Sequence, residues 1–231
     1  MSDEPHILVV DDHRDIRDAL LSAGAARKNF QLLAPARVAA AVREPGGVSV
    51  TLDDGRRIDA KLLIAADGKN SPLRQDAGIR ATRFDYPQTA IVCTVAHARP
   101  HNGVAVELFL PSGPFAMLPM TGQRSNFVCW ERTELARVIL TRDEAAFFDE
   151  LHRRFGDWLG EIHVEGPRFG FPLGLMHAER YTDRRLALIG EAAHVIHPIA
   201  GQGLNLGLRD VAALAESVVD AHRLGLDIGT G

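Results

Sequence analysis

Two short stretches hold the residues whose types and spacing could do chemistry. The first reads Gly190-Glu191-Ala192-Ala193-His194, then His197-Pro198, then Gly201-Gln202-Gly203-Leu204-Asn205. The second reads Asp67-Gly68-Lys69-Asn70-Ser71-Pro72-Leu73-Arg74. Each follows an apolar run, 186–189 and 62–66, that reads as a buried strand. Each ends in a helix start. A glycine-flanked helix start presents unpaired backbone N–H groups and the positive end of the helix dipole, which suits an anionic or electron-rich ligand. Glu191 adds a carboxylate that can accept hydrogen bonds from hydroxyl groups.

The elements around these stretches follow from simple patterns. After Gly203 the positions Leu204, Leu208, Val211, Ala215, Val218 and His222 step by four and three, so they share one helical face that should turn inward. Arg209, Asp210, Glu216, Asp220 and Arg223 fall mostly elsewhere and are expected to face solvent. Ser71 suits a helix N-cap, Pro72 the first helical position and Gly78 the helix end. The plain alternative for both stretches is an ordinary strand-loop-helix unit with glycines for turns. The dinucleotide fingerprint does not fit the first, because its third glycine would fall on Leu206 and the glycine present is Gly207.

Other chemistries find little support. His194 and His197 are three apart, but Pro198 breaks any helical face and no third ligand stands nearby; a catalytic zinc site wants three protein ligands. No Gly-x-Ser-x-Gly elbow and no Walker loop occurs. The composition, 46% hydrophobic and 24% charged over 231 residues, is that of a globular chain with one large domain or two small ones. A net charge of −4 argues against nucleic acid as a partner. No apolar run approaches the roughly 18 residues of a membrane span. The acidic start lacks the basic residues of a signal peptide. Two cysteines without a Cys-x-x-Cys suit a reducing cytoplasm.

Along the chain, residues 6–12 form an apolar run ending in two acids, and 14–26 read as a helix. This opening is similar to that of a response-regulator receiver. That reading would need a phospho-acceptor about forty residues on, where Asp53 and Asp54 precede a glycine in a hairpin-turn pattern. Three origins for this start stay open: a receiver fragment, a helix leading into the middle of the chain, or a fused beginning. Residues 30–66 look like a β-meander with strands at 31–33, 38–44, 48–52 and 58–66; the run 62–66 is expected to be a central, buried strand. Runs at 86–97, 104–110, 115–120 and 125–130 read as successive antiparallel strands. A helix at 143–155 places Ala146, Phe147, Leu151 and Phe155 inward and Glu150 and Arg154 largely outward. Another strand covers 162–171, and the glycine-rich tail 225–231 is expected to fray.

The ordered set Gly190-Glu191-Ala192-Ala193-His194, His197-Pro198, Gly201-Gln202-Gly203 and Asn205 resembles the second flavin motif of the para-hydroxybenzoate-hydroxylase-like aromatic hydroxylases, in their ubiquinone-biosynthesis branch. The family's usual acid is aspartate; here it is Glu191, one methylene longer. Ala65-Ala66-Asp67-Gly68-Lys69-Asn70-Ser71-Pro72-Leu73-Arg74 resembles the family's other motif, which touches flavin and reduced nicotinamide. Asp67 and Glu191 lie 124 positions apart, in the family's order.

The resemblance implies a mixed α/β fold, an incomplete FAD-binding Rossmann-like domain with an inserted antiparallel-sheet substrate domain. It implies segments 1–83 and 173–231 on the FAD side and 84–172 on the substrate side. The cofactors implied are FAD and NAD(P)H, and the reaction is hydroxylation of an electron-rich, polyprenylated phenol with O2. Cofactor contacts would come from Asp67, Gly68, Asn70, Gly190, Glu191, Ala192, His194, Pro198, Gly201, Gly203, Leu204 and Asn205, with no catalytic residue assignable. Asp67 would face the pyrophosphate through its backbone or a bridging water. Gly203→Val is expected to abolish flavin binding, since a side chain there would crowd the helix mouth. Phe and Met residues of 109–119 would line an aromatic pocket, or else be plain core. Such a substrate would bring the protein to a membrane surface. The family's Gly-x-Gly-x-x-Gly start is matched by nothing here, so poor FAD affinity and a partner or oligomer covering the incomplete sheet are expected. The rival reading is a non-enzymatic remnant or interaction module of the same fold.

Overall fold

Pairing partners, more than local propensity, decide which apolar runs become strands in this chain. The computed structural model describes the backbone of residues 14–230 and the side chains from residue 18 to 230 except at position 200. The run 6–12 and its paired acids lie outside the described residues. Two units result. One comprises residues up to Arg83, Met176–Ile196 and the stretch from Ala200 onward; the other comprises Phe84–Leu175 with His197–Ile199.

The first unit opens with helix α1 (Arg14–Ala25). Strands β1 (Val38–Glu44), β2 (Gly47–Leu52) and β3 (Arg57–Ala60) then form an antiparallel sheet in that order. Val48, Val50 and Leu52 alternate inward along β2 and form a small core with Val38, Ile58 and Leu63. Asp54 accepts from both the backbone N and Nε of Arg56, and Gly55 takes φ +85°, so the Asp-Gly pair makes the hairpin turn the sequence suggests. Residues 31–33 do not form the expected strand. Among the described residues that run pairs with no strand, and Leu32 is exposed.

A second sheet has the order β10 (Thr182–Asp183), β11 (Leu186–Leu188), β4 (Leu63–Ala65). β11 and β4 are parallel, with Leu186 opposite Leu63 and Leu188 opposite Ala65. The expected central, buried strand at 62–66 is therefore corrected. Among the described residues β4 pairs on one flank only, and Ile64 is 44% exposed. Beneath this sheet Ala65, Ile79, Ala178, Leu186, Leu188 and Ala192 form a second core.

Two further expectations for this unit fail for physical reasons. Helix α5 (Gly203–Arg223) buries no residue, and Leu204, Leu208 and Val211 are exposed instead of turned inward. It rests on the 190–192 turn with its small side, where a Cβ on Gly207 would stand 3.6 Å from the Gly190 Cα. A helix that approaches through a glycine must point its bulkier stripe away. The tail does not fray either. Arg185, 2% exposed and at φ +59°, bonds Asp227, the Lys61 carbonyl and the Pro45 carbonyl, and its N–H donates to Gly229 O. Those bonds to Arg185 hold the Asp227 carboxyl below its ordinary range.

The second unit is built on a sheet of order β9 (Ile162–Ala178), β5 (Ala81–His97), β8 (Arg124–Arg132), β7 (Gly113–Pro119), β6 (Val106–Leu110). β5 and β8 run antiparallel with Ile91 opposite Cys129 and Ala90 opposite Trp130. One face carries Ile91, Cys93, Val95, Phe115, Met117, Phe127 and Cys129. Helices α3 (Thr133–Thr141) and α4 (Glu144–Phe155) cover it with Ala136, Ile139, Phe147, Leu151 and Phe155. Phe155 meets Phe127 edge-on at 4.9 Å, a favoured aromatic geometry. α3 follows β8 without a loop; Glu134 in its first turn and the Ala136, Ile139, Leu140 spacing are its only sequence marks. Asp143 caps α4 by accepting from Ala146 N at 2.8 Å.

Arg154 and Glu150 do not face solvent as their helical positions suggest. Arg154 reaches back to Glu131 at 2.8 Å, to Glu150 at 2.7 Å and to Cys129 Sγ at 3.0 Å. Burial alone would raise the Glu131 pKa, but Arg154 and the Arg132 N–H hold it below the usual carboxylate range. Removing Glu131 costs Arg154 one of its two carboxylate partners and leaves it with Glu150 alone. Glu131→Gln should therefore lower stability by about 2 kcal/mol, the worth of one charge-assisted hydrogen bond, and Glu131→Gln combined with Arg154→Met should recover part of that loss; urea unfolding of the three proteins checks both. Burial pushes the thiols of Cys93 and Cys129 up from an ordinary 9.0 to about 12 and about 11. Below pH 9 both states keep these thiols protonated, so stability is unaffected; above it the unfolded chain ionises first and stability falls. Native protein at pH 8 should resist thiol alkylation, with both cysteines reacting only after unfolding.

Candidate functional site

The two motif turns leave the same end of neighbouring parallel strands. β4 ends at Ala65 and β11 at Leu188, residues that are opposite each other, and Ile189 N donates to Ala65 O at 3.0 Å. Asp67 and Gly190 each follow two residues later, so both turns rise from the carboxyl ends of the strands, where open α/β sheets bind ligands. The turns take glycines because they need them: Gly68 sits at φ +82° and Gly190 at φ +55°.

A buried guanidinium joins them. Helix α2 (Pro72–Asp76) starts with Pro72 after the N-cap Ser71, whose Oγ accepts from Arg74 N at 2.9 Å. The Asp67 carboxylate accepts from Leu73 N at 3.2 Å. It is thereby turned onto the helix start. Arg74, 2% exposed, donates to Ala192 O at 2.7 Å and to Lys69 O at 2.9 Å. Burial, with Arg83 nearby, lowers the Arg74 pKa, and Asp67 opposes that shift. Arg83 in turn donates to the side chain of Asn70 at 3.2 Å and to Lys69 O at 2.9 Å. Lys69, Arg74 and Arg83 give this turn a positive lining suited to an anion.

A carboxylate fixes the second turn from below. One oxygen of Asp210 accepts from Gly190 N at 2.8 Å and faces His194 Nε2 at 2.7 Å. Asp210 was expected to be solvent-facing; it is half-buried because it shares the Gly203, Leu206, Gly207 side of α5 that meets the turn. Glu191 is exposed and Ala192 is buried. His194 also stands 5.8 Å, ring to ring, from Tyr181, which bonds His177 at 3.0 Å. Gly201, at φ +61°, leads into α5, whose first turn has no side-chain cap and no acidic residue. Its N–H groups at Gly203, Leu204 and Asn205 are the kind of donors an electron-rich ligand edge takes. A Cβ on Gly203 would meet nothing within 4 Å, so the helix mouth is open within the chain and a side chain there would intrude only on a ligand.

Thus Asp67, Gly68, Asn70, Gly190, Glu191, Ala192 and His194 sit on two turns that share a strand end and a clamp, with Gly201, Gly203, Leu204 and Asn205 at the start of α5. Pro198 is exposed and belongs, with His197, to the second unit. Of the aromatic and Met candidates, Phe115 and Met117 are buried core, whereas Phe109 is 75% exposed. Arg74 and Asp210 are the residues that sequence reasoning missed. For Asp210 the available signal was its i+7 spacing from Gly203 and i+3 from Gly207; for Arg74, only its place in the motif. No helix of the described residues is long and apolar enough to cross a membrane.

Comparison with known proteins gives consistent results. Residues 13–223 match the family described as FAD binding domain. The ubiquinone hydroxylase UbiL of Rhodospirillum rubrum is 52% identical over 218 residues, spanning 94% of this chain and 51% of that protein. The mitochondrial ubiquinone biosynthesis monooxygenase COQ6 of Danio rerio is 38% identical, over 79% of this chain and 45% of that one. Among solved structures, Pseudomonas aeruginosa PqsL in complex with 2-aminobenzoylacetate superposes with a TM-score of 0.81 at 25% identity, covering 92% of this chain and 60% of that one. The chain spans about half the length of the curated relatives it matches.

The Asp210 latch is testable without any ligand. Asp210→Ala should release the 190–194 turn, so that the Gly190 amide exchanges about tenfold faster, the loss of one charge-assisted hydrogen bond. Unchanged exchange, read by hydrogen-deuterium mass spectrometry, would remove Asp210 from the site.

Proposed function

We propose that this chain, which belongs to the FAD binding domain family, carries the isoalloxazine-side half of a flavin-dependent hydroxylase acting on a phenol of quinone biosynthesis. The observation that carries the reading is the pair of motif turns rising side by side from β4 and β11 and joined by Arg74. Residues 1–83 and 173–231 form the flavin side in this reading, and 84–172 the substrate side. The residues present fit such a cofactor. The uncapped start of α5 offers backbone donors, the left-handed glycines allow close approach, and the exposed Glu191 can accept from a polyol hydroxyl.

In this reading Gly203, Leu204 and Asn205 bind through backbone N–H groups and Glu191 through its side chain, while Gly190 and Ala192, whose backbone groups are bonded within the protein, shape the turn that presents it. Gly68, Asn70 and the Asp67 backbone line the other turn, while Arg74 and Asp210 position the two turns. Bound FAD would supply the redox chemistry, taking a hydride from NAD(P)H and activating O2 for insertion into the ring. The protein orients the ring and excludes water. The open flank of β4 and the stripe Leu204, Leu208, Val211 and Val219 support a covering partner or second copy, and a polyprenyl tail would favour work at a membrane surface.

The experiment is FAD titration of the purified chain, followed near 450 nm, roughly where flavins absorb, with NAD(P)H oxidation measured with and without a 2-polyprenylphenol. Saturable binding and phenol-dependent oxidation are expected. Glu191→Ala should weaken FAD binding about tenfold, the worth of one good hydrogen bond. A colourless protein that takes up no FAD would favour the non-enzymatic remnant.

A further inference from the structure

The face of the β5–β8–β7 sheet turned away from α3 and α4 contains a buried donor with nothing to donate to. Trp130 is 4% exposed, and its indole Nε1 finds no acceptor among the described residues. Buried side-chain donors in folded proteins are almost always partnered, and an exception calls for a reason. The surroundings suggest one. Beside Trp130 stand Ala90 on β5 and Ala116 on β7, small residues flanking a large one, with Leu173 and Tyr86 completing the cluster. His197 stacks on the indole at 6.3 Å and 21°, and Tyr86 meets that imidazole edge-on at 5.2 Å. Ile199 N donates to His197 Nδ1 at 3.2 Å, which holds the ring in this pose. Burial lowers the His197 pKa and so favours the neutral ring.

An apolar, aromatic wall with one directed polar group is how proteins orient a flat ligand that carries a single oxygen. Indole N–H can only donate, so its partner must be an acceptor. We infer that Trp130 contacts the substrate, its Nε1–H donating to the ring oxygen of a phenol that lies along the edge of the indole, beside the stacked His197. Of the three rings His197 is the one on a loop; Tyr86 and Trp130 are fixed on strands. Trp130 is thus a specificity determinant, selecting oxygen-bearing rings over bare hydrocarbon ones. The choice of a phenol rests on the hydroxylase reading above; the orphaned donor does not.

The test uses the full chain with Trp158→Phe, so that Trp130 is the sole tryptophan reporter. 2-Allylphenol and allylbenzene, which differ by one oxygen, are titrated by fluorescence and calorimetry in the absence of flavin. The phenol should bind about tenfold more tightly than allylbenzene. Trp130→Phe, or 3-benzothienylalanine at 130 to keep the indole shape without its N–H, should erase that difference and leave allylbenzene affinity unchanged. A purely structural Trp130 would predict the opposite: equal phenol affinity in the isostere, which would overturn the inference. In turnover, KM for the phenol should rise about tenfold with kcat changing less than twofold; a fall confined to kcat would also overturn it. Because the binding titration contains no flavin, a protein that takes up no FAD but discriminates the two ligands through Trp130 would sink the hydroxylase reading and keep this one.

Discussion

The parallel pairing of β4 with β11 is the constraint on which the candidate site depends. Three residues on each strand bring together segments more than 120 positions apart. Parallel pairs need a long crossover, and here the crossover contains Phe84–Leu175, the bulk of the second unit. The short ladder alone is a weak tether. Arg74 strengthens it by exchanging water for two backbone carbonyls, one from each turn, and this is why a charge can be buried there without a carboxylate partner. The chemistry of the turns and the stability of the strand pair are therefore not separable at this position.

Much of this was legible in the residue order because local rules govern it. Ser71-Pro72 at a helix start, Asp54-Gly55 at a hairpin and the long period of 203–223 each depend on neighbours only a few residues away. The motif spacing also made the family visible before any geometry. The readings that failed each depend on a distant partner. The run 62–66 has the composition of a central strand, yet it is flanked on one side only among the described residues. Residues 31–33 have strand-like composition but pair with no strand among the described residues, and Leu33 only packs against the Val48 core. Arg154 and Glu150 occupy positions that face solvent on an isolated helix, but Glu131 on β8 draws Arg154 back toward the sheet.

Asp210 illustrates the same limit at the site itself. On the helix it looks like one more charged surface residue. Its role follows from a turn 20 positions earlier that lacks an acceptor for its own N–H. Charged residues beside glycines on a helix are worth reading as candidates for such work, since glycine is what lets the backbone come close enough to be bonded. The second unit makes the complementary point: its main core, made of alternating strand residues and two helix faces, follows from periodicity. Trp130, by contrast, stands out only when its hydrogen-bonding capacity is counted.

The contact between Gly207 and Gly190 divides α5 into two sides with different tolerance for change. Any residue larger than alanine at 207 would push the helix off the turn and drag Asp210 from its bond, so drift along that side is penalised at once. Leu204, Leu208 and Val211 touch little within the chain and could be exchanged for polar residues at small cost to its folding. Because they are apolar and exposed, this helix is the place where the chain's solubility and its assembly trade against each other.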